Sequence, residues 1–219
     1  MKRSGGSEEK LWWAPPEIFD SQTTRTLSLL CIAAVITGYL GALLGQTATF
    51  AAEEFGASDR AQGVLLAMVR IGTLITVVVA GLADKHGRKR LLIFSLWSGC
   101  AITLLSAASP NIMILGISQA MARGFATAIS ILIGIMAAEA APKGSRAYIA
   151  GILTLTAGLG AGIPVWLLSL ADVHPRGWRL LFLISFAFFP VISWLRTQLH
   201  ESVRSVSYTH LTLPTNREV

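Results

Sequence analysis

Two arginines stand where this chain is otherwise most apolar. Arg70 and Arg123 fall near the middle of long uncharged stretches. A bare guanidinium at the centre of a bilayer costs at least about 2.5 kcal/mol on insertion scales, so neither side chain is expected to face lipid. Gln119, Arg123 and Thr127 are spaced four apart and share one face of a helix, and Arg70 with Thr73 makes a shorter polar stripe. No acidic residue lies inside the same apolar runs. Two mid-depth guanidiniums without a carboxylate point to a cavity that attracts an anion, such as a carboxylate or phosphate group, with Arg70, Arg123, Gln119 and Thr127 as the binding residues. The competing roles are an ion pair with an acid outside this stretch and a structural bond to backbone carbonyls.

A second cluster lies in a short loop, Ala80-Gly81-Leu82-Ala83-Asp84-Lys85-His86-Gly87-Arg88-Lys89-Arg90. Gly87 can take a positive φ in a tight turn, Asp84 can pair with Arg88 or accept from backbone N–H groups, and the cations hold the loop on one side of the membrane. Farther on, Glu139 is expected at the membrane edge in a salt bridge to Arg146 or Arg88. The four histidines, His86, His174, His200 and His210, do not converge, so neither a metal site nor a nucleophilic triad is expected. There is no Walker A sequence and no G-x-G-x-x-G, so no cofactor is expected and the chain does not read as an enzyme.

The elements that must hold these residues follow from composition. Of 219 residues, 53% are apolar and 14% charged, against about 25% charged in an ordinary soluble domain; the mean hydropathy is +0.61. Charge-free runs at 26–52, 91–122, 147–171 and 180–195 approach or exceed the roughly 20 residues that cross a bilayer as a helix. Six spans are predicted, at 26–51, 61–83, 91–108, 112–137, 147–171 and 178–197. They are helical because lipid offers free backbone groups no partner and the runs lack period-2 alternation. Lys2, Arg3, Lys10, Arg25, Lys85, Arg88, Lys89, Arg90, Lys143, Arg146, Arg196 and Arg204 fall on one side, while Arg60, Arg176 and Arg179 fall on the other. That asymmetry puts both termini in the cytoplasm and accounts for the net charge of +6 without nucleic acid. Cys31 and Cys100 read as buried thiols. Small residues every fourth position, at Ser118, Ala122, Ala126, Ser130, Gly134 and Ala138, at Gly72, Thr76 and Ala80, and at Thr154, Gly158 and Gly162, predict seams where helices approach closely.

The loop at 80–90 resembles the signature of major facilitator superfamily transporters, G-x-L-A-D-R-x-G-R-R/K, which joins the second and third helices of that fold. Asp84, Lys85, Gly87, Arg88 and Lys89 match it in register, and Ala80 stands at its first glycine. Glu139-Ala-Ala-Pro142-Lys-Gly-Ser-Arg146 resembles the family's E-x-x-P-x-x-x-R loop. Trp178-Arg179 and Glu201-Ser202 are similar to its W-R and P-E-S marks, with His200 at the proline. Gln119 occupies the place of an arginine often found in the fourth helix, and Gly160 to Pro164 does not fit the spacing of the antiporter motif.

The resemblance covers about residues 24–204 and implies an all-α polytopic membrane protein, six transmembrane helices forming half of a twelve-helix fold. The implied activity is secondary transport of a small solute across the cell membrane by alternating access, coupled to a proton or another ion. Organic anions, sugars and other metabolites are the candidate solutes. Asp84, Lys85, Gly87, Arg88 and Lys89 would then gate against the absent C-terminal six-helix half. A non-transporting six-helix scaffold, or a half-size unit that dimerises, is the alternative. Residues 1–23 read as a cytoplasmic segment. Residues 205–219, polar and Thr-rich, resemble translated sequencing adapter, with a natural disordered tail as the alternative, so that 1–204 reads as a fragment.

Overall fold

The computed structural model describes residues 19–199, without the side chains of residues 80, 83–86 and 143. Expectations for 1–18, for 200–219 and for the Asp84 and Lys85 side chains lie outside the described residues. Six helical stretches are long and apolar enough to cross a membrane. Helix α1 (Ser21–Glu54) is the first, and α2 (Asp59–Ile71) with α3 (Leu74–His86) makes the second. The third and fourth are α4 (Arg88–Ser106) and α5 (Ile112–Ala140). The fifth is α6 (Arg146–Trp166), extended by α7 (Ser169–Asp172), and the sixth is α8 (Trp178–Leu183) joined to α9 (Phe188–Gln198).

Local chemistry sets the boundaries. Asp20, Ser58 and Asn111 accept backbone N–H bonds at the starts of α1, α2 and α5, from Gln22 at 3.4 Å, Ala61 at 3.4 Å and Ile114 at 2.9 Å. Gly87 adopts φ 92° between α3 and α4, a region closed to most side chains, which is why a glycine makes this one-residue turn. The fourth span ends at Ala141, whose extended backbone precedes Pro142, and a short 3₁₀ turn, Lys143–Ser145, redirects the chain.

Three spans are interrupted where an unbroken helix was expected; in the fifth, Leu167 and Leu168 separate α6 from α7. The second breaks at Gly72 and Thr73, and the Thr73 hydroxyl donates to the Arg70 carbonyl at 2.7 Å. The sixth tightens to a 3₁₀ turn at Ile184–Ala187. Pro190 explains the break in the sixth, since it has no N–H to offer the Phe186 carbonyl.

Helix α1 is the centre of the bundle, packed most extensively on α6 and also on α5; α5 in turn packs on α4, α2 and α3. The α1–α6 contact is backbone to backbone, because a Cβ at Gly38 would overlap the Ala157 carbonyl and one at Gly160 would overlap the Val35 carbonyl. The expected seam at Thr154, Gly158 and Gly162 is therefore displaced to Ala157, Gly160 and Ala161. Thr154 and Gly158 are exposed instead, and added Cβ atoms at Gly158 and Gly162 would meet nothing within 4 Å. The periodicity was right and the face was not, since four-residue spacing leaves the face unspecified when both sides of a helix carry small residues. On the second span, Gly72 and Thr76 do form a seam: Gly72 meets the Ala120 backbone, and the Thr76 hydroxyl donates to the Gly124 carbonyl at 3.1 Å. Tyr39 closes the core. It is fully buried, donates to the Leu181 carbonyl and packs edge-on against Phe188, ring centroids 5.1 Å apart.

Candidate functional site

Arg123 projects from the middle of α5 at an exposed position. Its guanidinium donates to the carbonyl of Gly41 on α1, and Gly41 leaves the space it occupies, since an added Cβ there would lie 3.3 Å from Nη1. Its other N–H groups have no partner among the described residues. Thr127, half-buried one turn later, donates to the Arg123 carbonyl at 2.9 Å, so its oxygen still accepts. Arg123 is thus anchored on one side to α1 and open on the other.

Gln119 does not share that open face. It is 3% exposed, and its Nε2 donates to Ser106 Oγ on α4 at 2.9 Å. Ser106 Oγ lies 2.8 Å from Ser118 Oγ, which completes a buried polar link between α4 and α5. Four-residue spacing put Gln119 on the stripe, but the neighbouring α4 covers that end of it.

Arg70 is exposed near the end of α2, and its guanidinium has no partner among the described residues. Gly72 faces α5, so Arg70, two residues earlier, is turned about 200° away from that contact. Exposed Leu66, Ile71 and Leu74 surround it in the sequence. The expected convergence of the two guanidiniums is not made by this bundle.

At the end of the bundle where α3 meets α4, Arg88 pairs with Glu139, joining the start of α4 to the last turn of α5. Lys89, which follows Arg88, is half-buried. Of the two partners considered for Glu139, the described residues supply Arg88 and not Arg146. Glu139 Oε2 is buried without a hydrogen bond among the described residues. Pro142 and the 3₁₀ turn carry Arg146 away from Glu139, and Arg146 is exposed at the start of α6.

At the opposite end, one carboxylate gathers a cluster that sequence reasoning passed over. Glu54 closes α1 and accepts from Trp178 Nε1 at 2.7 Å and from Arg179 Nε and Nη2 at 3.1 Å each, and it forms an ion pair with Arg176 Nε at 3.2 Å. Arg179 also donates to the carbonyls of Ala107 and Ser109, at 2.6 and 2.9 Å. Its guanidinium lies over the Trp178 and Phe55 rings, 4.9 and 5.6 Å from their centroids. The signal was present in the pair Trp178-Arg179, a fork of donors and an indole N–H at a helix start, which together require a carboxylate.

The Major Facilitator Superfamily pattern matches residues 30–213. The chain is 27% identical over 180 residues to YdfJ of Escherichia coli (strain K12), named as a transporter, covering 73% of this chain and 42% of that protein. It is 26% identical over 200 residues to the shikimate transporter of the same organism, covering 81% of this chain and 46% of that protein. The chain spans less than half the length of either relative. With six apolar helices and this match over most of its length, the chain is a multi-pass membrane protein and belongs to the Major Facilitator Superfamily.

Proposed function

We propose that this chain supplies one bundle of a secondary transporter for a small organic anion, which moves by rocking against a second six-helix bundle. The observation that carries the reading is Arg123: a mid-depth guanidinium fixed to α1 through the Gly41 carbonyl, with its remaining donors unpartnered among the described residues. In that position it binds a carboxylate by charge-assisted bonds, and the Thr127 oxygen beside it accepts from a solute hydroxyl. The relative named for shikimate, a hydroxylated cyclic carboxylic acid, is consistent with that chemistry. Arg70, turned from α5, is assigned to the surface that meets the second bundle. The Arg88–Glu139 pair and the Gly87 turn form the gate on the side that the Lys and Arg distribution makes cytoplasmic.

Arg123→Ala in the full-length protein is expected to abolish uptake of carboxylates into proteoliposomes while leaving membrane insertion intact. Wild-type uptake by that variant would overturn the reading. Labelling a cysteine placed at position 87 from the outside of intact cells would overturn the assigned orientation.

A further inference from the structure

The face of α5 that carries Arg123 continues beyond it. At 100° per residue, Ser130, Gly134 and Ala138 lie within about 60° of Arg123, and all three are exposed. An added Cβ at Gly134 would meet nothing within 4 Å. This stretch was expected to be a packing seam, yet no helix closes on it. It borders a groove of about 380 Å³ between α1, α5 and α6, with Arg146 among its lining residues.

The groove walls are nearly all apolar. The hydroxyls of Thr37, Ser130 and Thr154 donate to their own helices, to Ala33, Ala126 and Ala150 at 2.7, 3.2 and 2.9 Å. Among the described residues no acidic side chain lines the space, and Arg146 is its one charge. Arg146 has no ion pair among the described residues; Glu139 pairs with Arg88. Gly134, in the groove wall, stands eleven residues past Arg123, about 16 Å along the helix axis.

We infer that this groove is a second binding station for the transported solute: a small carboxylate rests its apolar body between α1, α5 and α6 and its charge on Arg146. This deepens the anion reading by naming a site separate from Arg123. Charge complementarity selects the occupant, since an apolar groove with a single guanidinium and no carboxylate suits a compact monoanion and disfavours a cation or a polar neutral solute.

The test is equilibrium dialysis of the purified full-length protein with radiolabelled shikimate and with radiolabelled benzoate. The wild type is expected to bind one of these carboxylates at two sites. Arg146→Gln is expected to weaken one site by about tenfold or more, as loss of a charge-assisted bond implies, while Arg146→Lys keeps it. Gly134→Leu, which fills the groove without altering either arginine, removes the same site. Arg123→Ala removes the other. Single-site or absent binding in the wild type, or two undiminished sites in both Arg146→Gln and Gly134→Leu, overturns this inference. Two undiminished sites in Arg123→Ala overturn the Arg123 reading alone.

Discussion

The two ends of this bundle are tied by the same chemistry to different degrees. At one end Glu54 holds Trp178, Arg179 and Arg176, and Arg179 reaches on to two carbonyls after α4, so the ends of the first, third and sixth spans share one knot. At the other end, among the described residues, Glu139 holds Arg88, and its second oxygen is buried without a bond. A carboxylate with both oxygens in use, facing an arginine that also bonds the backbone, loses several interactions together when it moves. Among the described residues, the knotted end is the more heavily bonded of the two.

The comparison can be broken at its strong side first. Glu54→Ala leaves two cations and an indole N–H without their acceptor and is expected to cost about 3 kcal/mol, read as a fall in the unfolding midpoint of the full-length protein in detergent. A midpoint close to wild type would remove the idea of a knotted end. Arg179→Lys keeps the charge but not the planar fork, so it is expected to cost about 1–2 kcal/mol in the same assay. Glu139→Gln retains an oxygen for Arg88 and is expected to cost about 0.5–1 kcal/mol, with a change in transport rate larger than its change in stability. A loss equal to that of Glu54→Ala would show the two ends to be equally bound.

Much of this was legible from residue order. Lipid forces every backbone group to bond within its own helix, so six apolar runs gave six helical stretches with boundaries a few residues off. Gly87 was legible because few other residues fit a turn that short. Breaks inside spans were harder to see. Gly72 reads as an ordinary small residue until the Ala120 backbone lies against it, and Pro190 is followed by more apolar sequence that hides its effect on the preceding turn. The face of α6 was misassigned because Gly158 and Gly160 look alike in sequence, and the choice between them is made by Val35 on α1. Side-chain partners were the least legible. Gln119 looked like a neighbour of Arg123, but Ser106 lies more than a dozen residues away in sequence and next to it in space. Glu54 and Arg179 are separated by more than a hundred residues, and although Trp178-Arg179 calls for a carboxylate, nothing local says which one.

The contact at Gly72 has a mechanical consequence. Main chain touches main chain there, with no rotamer between α2 and α5 to absorb a displacement. A push on α5 at that depth therefore arrives undamped in the middle of the second span, at the joint between its two helical pieces. The lower piece, α3, leads straight into the Gly87 turn. Gly124, the residue beside Arg123, is part of this same contact, so the backbone on either side of it is coupled through α3 to the loop carrying Arg88.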